Sequence, residues 1–104
     1  MRASTVPPRH PEAVSVEVFV PSPLRQYCGG ARQLMLSAAT VRTTLEELEQ
    51  RYPSLYRNVC HETGAVRQHI NIFVNSTHMR DREGLDTELA SGDTIIILPA
   101  VSGG

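Results

Sequence analysis

The fold is inferred first from residues 93–104, which are Asp93-Thr94-Ile95-Ile96-Ile97-Leu98-Pro99-Ala100-Val101-Ser102-Gly103-Gly104. Residues 95–98 are apolar at every position, whereas a half-buried strand alternates apolar and polar residues. Such a run is typical of a central strand that carries apolar side chains on both faces of a sheet. Pro99 lacks the backbone N–H that an interior strand needs, so we expect the strand to end near this residue.

The residues after the proline have the properties of an unhindered chain end. When extended, residues 101–104 reach roughly 13 Å from the body of the protein. Gly103 and Gly104 have no Cβ, so their backbone can pass through a narrow channel and the carboxylate of Gly104 stays accessible. At neutral pH this carboxylate is an unreactive anion. It would need activation, most simply as a mixed anhydride with AMP made by a separate enzyme that uses ATP. A frayed end is the alternative for an isolated Gly-Gly pair.

Two segments near the start of the chain predict a β-hairpin. Residues 14–20 alternate with period two, which places four valines on one face and Phe19 on the other. Residues 33–37 predict a second strand whose two leucines point inward. The intervening segment contains two prolines and the pair Gly29-Gly30, and we expect it to form a long loop.

A helix is predicted over residues 41–52. Its apolar residues recur at helical spacing and lie on one face: Val41, Leu45, Leu48 and Tyr52. Thr40 is the expected N-cap, and Pro53 ends the helix because it disfavours helical geometry in the preceding residue. The i, i+4 spacing of Glu47 and Arg51 predicts an ion pair on the exposed side.

The remaining segments predict shorter elements. Residues 54–59 suggest a short helical turn, residues 70–74 a third strand, and residues 77–80 a short fourth strand. Residues 81–93 contain five acids and one base, which favours a solvated acidic loop. A helical turn is expected at residues 85–89.

Length and composition limit the possible functions. A chain of 104 residues has room for one domain, which we place at residues 14–98, after a disordered leader at 1–13 and before a flexible tail at 99–104. The net charge of -1 indicates neither nucleic acid nor an anionic membrane as a partner. No apolar stretch is long enough for a signal peptide or a membrane span, so we expect a cytoplasmic protein.

Side-chain chemistry gives no catalytic centre. Cys28 and Cys60 are not in a Cys-x-x-Cys pair, and reduced thiols with a structural role are expected. The pair Cys60-His61 has no carboxylate partner placed by sequence. The histidines lack metal-binding spacing. We therefore predict no enzyme activity, no metal and no cofactor, and the reactive group is the Gly104 carboxylate, a substrate of other enzymes.

Residues 93–104 resemble the end of the ubiquitin-like sulfur-carrier proteins of the ThiS and MoaD family, in which a Gly-Asp turn, an aliphatic strand, a proline and Gly-Gly follow in this order. The turn in this chain is Ser91-Gly92-Asp93. The resemblance extends from about Val14 onward and is closest to the CysO type of cysteine biosynthesis, through residues 21–25, Gly29-Gly30 and residues 71–75. It implies an α+β fold of the β-grasp type. Four to five strands would form a mixed sheet on one main helix, with the last strand parallel to the first.

The resemblance also implies a function. An E1-like activating enzyme of the MoeB or ThiF type would adenylate Gly104 with ATP, and this step would require Gly103 and Val101. Sulfur would then replace AMP, and the resulting thiocarboxylate would donate sulfur to an acceptor enzyme such as a cysteine synthase, from which a metalloprotease would free the product. We expect Phe19, Ile96 and Leu98 to contact a partner on the sheet face opposite the helix.

Several alternatives share the same tail. The sulfur could serve molybdopterin, thiazole or tRNA thiolation. The adenylate could instead form an isopeptide bond with lysines of target proteins, as in a ubiquitin-like modifier. A non-covalent β-grasp interaction module, in which the tail has no role, is a third possibility.

Overall fold

A five-stranded mixed sheet forms the centre of the computed structural model, which describes residues 12–100. The strands are β1 (Val14–Phe19), β2 (Gln33–Ala38), β3 (Ile70–Val74), β4 (Thr77–His78) and β5 (Thr94–Pro99). Their spatial order is β2-β1-β5-β3-β4. The central strand β5 pairs parallel with β1 and antiparallel with β3. The predicted β-grasp arrangement and the central position of the last strand are confirmed.

The connection of the first hairpin contains a helix that was not predicted. β1 and β2 pair antiparallel as predicted, from Val14 opposite Ala38 to Phe19 opposite Gln33. The connection, however, forms a 3-10 helix at Ser22–Cys28, with Pro21 as its N-cap residue. Pro23 lies in the first turn of this helix, where a proline is favourable because its φ angle is already close to the helical value and its missing N–H would be unpaired there. Gly29 ends this helix with a φ of 70°.

The main helix, α1 (Val41–Arg51), begins at the predicted cap. The Thr40 hydroxyl accepts a hydrogen bond from the Thr43 backbone N–H at 3.1 Å, and the Thr43 hydroxyl accepts one from the Thr40 N–H at 2.9 Å. This reciprocal pair satisfies two amide groups at the helix start. A second helix, α2 (Pro53–Val59), starts directly at the proline that was predicted to end α1.

The predicted ion pair between Glu47 and Arg51 is wrong. Within residues 12–100 the structure has one salt bridge, between Arg42 and Asp86 at 3.0 Å, and both side chains are at least half exposed. Holding two long solvated side chains in one geometry costs rotamer entropy, so correct i, i+4 spacing alone does not produce a pair.

The core lies between the helices and one face of the sheet. Its fully buried large side chains come from β1, α1, α2, β3 and β5 and include Val16, Leu48, Leu55, Ile72 and Ile97. Burial of a large aliphatic side chain contributes about 1.5–3 kcal/mol to folding. The helices cover only this face, so the opposite face of the sheet stays open.

The segment between β4 and β5 follows the prediction only in part. β4 has two residues, and the 3-10 helix Met79–Asp81 takes the place of its expected end. The helical turn expected at residues 85–89 is instead a 3-10 helix at Gly84–Asp86. The Thr87 hydroxyl donates a hydrogen bond to the Gly84 carbonyl at 2.7 Å, so this carbonyl has a partner at the end of the short helix. Leu89 is buried, and its N–H donates to the Ala39 carbonyl at 2.9 Å.

The two ends of the described chain flank the sheet. Glu12 and Ala13 are exposed and lead into β1, and the rest of the predicted leader lies outside the described residues. β5 continues to Pro99, which pairs with Ile70, one residue beyond the domain boundary expected at Leu98. In the described part of the chain, no helix has the length and apolar character to cross a membrane.

Candidate functional site

The central strand leads directly to the predicted reactive end. Gly104, Gly103 and Val101 lie outside the described residues. Just before them, the Ala100 N–H donates to the His69 carbonyl at 2.6 Å. This bond continues the β3–β5 pairing past Pro99, which has no N–H of its own. The chain is therefore held by the sheet as far as Ala100.

The turn before β5 fixes where this strand begins. The Asp93 carboxylate accepts hydrogen bonds from the Ala90 N–H at 2.8 Å and from the Asn75 side-chain amide at 3.1 Å. The Asn75 side-chain oxygen accepts a third bond from the Thr94 N–H at 3.1 Å. Gly92 has a φ of 89°, a region that favours glycine. The Gly-Asp motif thus positions β5 through side-chain and backbone geometry.

The predicted partner-binding residues lie on the open face of the sheet. Phe19 in β1 is the register partner of Ile96 in β5. Leu98 follows two residues later on the same face, because successive strand side chains alternate between faces. Leu98 is 39% exposed, whereas Phe19 and Ile96 are half-buried. The structure therefore brings the three residues onto one surface, which we call the β5 face.

Two further apolar residues on this side of the sheet were not predicted as partner-binding residues. Phe73 is the register partner of Ile96 on β3, and Met35 on β2 is 59% exposed. The alternation in β3 could have predicted that Phe73 lies on the open face, because its neighbours Ile72 and Val74 are buried on the other face.

Polar and cationic groups border the β5 face. The Arg25 guanidinium lies 5.8 Å from the centre of the Phe19 ring, within the range of a cation–π contact. Its Nε donates to the Val20 carbonyl at 2.9 Å, which orients the side chain. On the other side, the His78 ring meets the Phe73 ring edge-on at 5.1 Å. An apolar centre with a polar border is typical of a surface that binds another protein.

Residues 18–104 match the model of the ThiS family. The chain belongs to the ThiS family. The matched region includes the whole β5 face and both terminal glycines.

The proteins that are similar to this chain include some named as sulfur carriers and some named as modifiers. The sulfur carrier protein CysO of Mycobacterium tuberculosis is 33% identical over 93 residues, which cover 88% of this chain and the whole of the relative. The crystal structure of the BexX/CysO complex of Amycolatopsis orientalis contains a chain that is 35% identical, with a TM-score of 0.78, over 86% of this chain and 99% of that one. The solution structure of small archaeal modifier protein 1 of Methanosarcina acetivorans is 34% identical, with a TM-score of 0.79, over 88% of this chain and 98% of that one.

The two thiols of this ThiS-family chain are free and buried, as expected for reduced cysteines. Burial raises the pKa of the Cys60 thiol to about 11, although the neighbouring Tyr56 hydroxyl and Arg67 act in the opposite direction. A thiol is nucleophilic only as the thiolate, so Cys60 is unreactive near neutral pH. Cys28 Sγ lies 3.4 Å from the Ala31 carbonyl oxygen.

Metal-ligating residues do not cluster in the part of the chain that the structure describes. Between residues 12 and 100, no three His, Cys, Asp or Glu side chains are close enough together to hold a metal ion. His78 Nε2 is 3.0 Å from the Asn71 side-chain oxygen, so this histidine is engaged in the sheet.

Proposed function

We propose that this ThiS-family chain carries sulfur as a thiocarboxylate on Gly104 and donates it in cysteine biosynthesis, in the cytoplasm. The chain would be a substrate of other enzymes and not an enzyme itself. The main support is the family match, which runs through Gly103 and Gly104. It is strengthened by full-length coverage of a relative named as a sulfur carrier.

The chemistry would take place on the Gly104 carboxylate. In the first step a carboxylate oxygen attacks the α-phosphate of ATP on an E1-like enzyme, and pyrophosphate leaves. A sulfur nucleophile then adds to the carbonyl carbon of the adenylate and AMP leaves, so that one oxygen is replaced by sulfur. The thiocarboxylate sulfur would finally form a bond to the β-carbon of an activated serine derivative on a cysteine synthase, and the activating group would leave. The acyl group of the resulting thioester would move from sulfur to the amine of the new cysteine. A metalloprotease would then hydrolyse this amide, which releases cysteine and restores the Gly104 carboxylate.

The β5 face would orient the tail on the activating enzyme. Ile96 and Leu98 lie on the strand that leads into the tail, and Phe19 is beside Ile96, so a partner that covers these residues would also receive the residues after Ala100. Adenylation needs the carboxylate in line with the α-phosphate, and a misplacement of about 1 Å can be costly in such reactions. A central strand followed by a tail whose last two residues, Gly103 and Gly104, have no side chain would meet this requirement.

Changes in the tail test the proposal directly. Deletion of Gly104, Gly103→Val, and addition of one alanine after Gly104 should each abolish AMP formation and sulfur loading by the cognate activating enzyme with ATP and sulfide. Deletion changes the register of the reacting group, valine puts a branched side chain in the channel, and the extra residue converts the Gly104 carboxylate into an amide. Loading is measured as the intact-mass change for sulfur replacing oxygen.

The matched control is Ser102→Ala, which changes the tail but keeps its length and both glycines, and it should load normally. Normal loading of the protein without Gly104 would refute the carrier proposal. The pathway is tested separately by incubating the loaded protein with a cysteine synthase and activated serine. A protein–cysteine adduct is the expected product, and its absence would redirect the proposal to molybdopterin, thiazole or tRNA thiolation.

A protein modifier is the second candidate, because the chain resembles small archaeal modifier protein 1 at 34% identity over 88% of its length. A modifier would use the same adenylate but form an amide with a lysine of a target. The chain itself contains no lysine, since all ten basic residues are arginine. Lysine-linked conjugates would therefore involve other proteins. Because Arg82 is the last basic residue of the chain, trypsin would leave residues 83–104 on each modified lysine, and peptide mass spectrometry for this remnant would detect the conjugates.

A further inference from the structure

β2 forms a long open edge of the sheet. The Val20 N–H donates to the Arg32 carbonyl at 2.8 Å, and this bond fixes the phase of the β1–β2 ladder. With Val16 opposite Leu36, the backbone groups of Leu34, Leu36 and Ala38 point toward β1. The backbone N–H and C=O groups of the residues between them point away from the sheet. The outward residues are Gln33, Met35 and Ser37, and no other strand among residues 12–100 lies beside them.

This edge lacks the features that usually block strand pairing. Its six residues, Gln-Leu-Met-Leu-Ser-Ala, contain neither charge nor proline, and Met35 exposes 59% of its surface. Charged side chains, prolines and very short strands are the common ways in which proteins protect a sheet edge. The opposite edge is protected in this way, because β4 has only two residues and a 3-10 helix follows it.

A groove with acidic residues lies between α1 and the C-terminal end of β2, where Ser37 and Ala38 line it. It has a volume of about 610 Å³, and Ala38 and Ala39 contribute small side chains to it. The α1 residues that line the groove include three acids and are Thr43, Glu46, Glu47, Glu49 and Gln50. Neither Glu46 nor Glu47 forms a salt bridge within residues 12–100.

The acidic groove disfavours a second copy of the chain at this edge. Two β2 strands related by a two-fold axis perpendicular to the sheet would place both α1 helices on the same side of the joined sheet. Glu46 and Glu47 of each copy would then face those of the other across the junction, and like charges in close proximity repel. An added strand with basic side chains on the helix side would instead meet opposite charge.

We propose that the β2 edge binds an extended segment of another protein in which basic and apolar residues alternate. Its backbone would pair with the outward groups of Gln33, Met35 and Ser37. Basic side chains would lie in the groove, with their aliphatic stems on Ala39 and their charged ends near Glu46 and Glu47. The apolar side chains would pack beside Met35 on the open face. Main-chain bonds provide affinity in such strand addition, and side-chain sites provide specificity.

The experiment uses two blocked eight-residue peptides, one of alternating Lys and Val and one of alternating Glu and Val, each added to the full-length protein. Amide hydrogen exchange followed by NMR is the readout. The Lys-Val peptide should slow exchange at Met35 and Ser37 by at least about tenfold, because these N–H groups gain partners. Exchange at Leu34 and Leu36, whose N–H groups already bond to β1, should change little. The Glu-Val peptide should have no effect.

Two charge-reversed proteins provide the decisive comparison. The double variant Glu46→Arg, Glu47→Arg should no longer bind the Lys-Val peptide and should bind the Glu-Val peptide instead. The control variant Glu62→Arg, Glu83→Arg has the same net charge but its changes lie outside the groove, and it should keep the wild-type preference. In addition, Met35→Pro removes an outward N–H without breaking a bond to β1, and it should abolish peptide binding while the fold, checked by the NMR spectrum, is kept.

Three results would overturn the proposal: unchanged exchange at Met35 and Ser37, an equal loss of binding in both charge-reversed variants, or slowed exchange that depends on protein concentration without peptide, which would identify a second copy as the occupant. The proposed sulfur-carrier function is independent of this edge. Deletion of Gly104 should leave peptide binding unchanged, so failure of one proposal does not affect the other.

Discussion

The two faces of β5 have different environments although the strand is apolar on both. Ile95 and Ile97 point toward the helices and are fully buried, whereas Ile96 is half-buried and Leu98 is 39% exposed. The helices contact one face only, so the same residue type contributes to the core at one position and to the surface at the next. This difference indicates that the buried isoleucines stabilise the fold, whereas Ile96 and Leu98 are available to a partner.

The largest expected effect comes from comparing two isoleucines in this strand. Ile97→Ala removes a fully buried side chain and should lower the free energy of unfolding by about 2–5 kcal/mol. Ile96→Ala removes the same atoms from the open face and should cost about 1 kcal/mol, mainly through lower strand propensity. Urea unfolding of the two variants measures the difference. Equal losses would show that the two faces of β5 contribute equally to stability.

The second-largest expected effect is a loss of affinity for the cognate activating enzyme when Phe19 is replaced. Phe19→Ala should weaken this binding by about 1.5–3 kcal/mol, or roughly ten- to a hundredfold in Kd, because an apolar ring no longer enters the interface. The melting temperature should change little, since Phe19 is only half-buried. Isothermal titration calorimetry gives the affinity.

Met35→Ala is the matched control for Phe19→Ala. Met35 is a large apolar residue that is exposed on the same side of the sheet, but it belongs to the edge strand β2 and not to the β5 face. Its replacement should leave the affinity for the activating enzyme unchanged. If both variants weaken binding equally, the activating enzyme recognises the wider sheet surface and not the β5 face.

Local patterns were sufficient to predict most of the fold. Alternation in β1 and β3, helical spacing in α1, and the cap at Thr40 all involve residues near each other in sequence, and each of these predictions is confirmed. The uniform apolar run of β5 correctly indicated a central strand. It could not indicate which face the helices cover, since both alternating sets are apolar. That choice depends on the strand register with β1 and β3.

The incorrect predictions concern features that depend on contacts in the folded protein, which the spacing of residues along the sequence does not determine. The 3-10 helix at Ser22–Cys28 was predicted as a loop, because its prolines were interpreted only as strand breakers. The ion pair of Glu47 and Arg51 had the right spacing but not the required geometry. The open β2 edge and its acidic groove were not predicted, because β2 and α1 are joined only in the tertiary structure. The roles of Gly104, Gly103 and Val101 remain predictions that the tail variants test.

The smallest expected effect concerns a thiol in the core on the covered side of the sheet. Burial raises the pKa of Cys60 from 9.0 to about 11. Above pH 9 the thiol ionises in the unfolded protein but stays protonated in the folded one, so the folded state binds more protons. Stability must therefore fall as the pH rises from 9 toward 11, by about 1 kcal/mol between pH 9 and 10.

Replacement of Cys60 by alanine should remove this part of the pH dependence in urea unfolding curves. Tyr56, whose pKa is raised mainly by burial, shifts stability in the same direction at higher pH, so Tyr56→Phe separates its contribution from that of the thiol. A thiol on the open face would not cause this pH dependence. Because it would be solvated, it would ionise at the same pH in the folded and unfolded protein and leave stability unchanged. An unaltered pH slope in Cys60→Ala would therefore show that water reaches this part of the core, and that the two sides of the sheet differ less in solvent exclusion than the burial of Cys60 indicates.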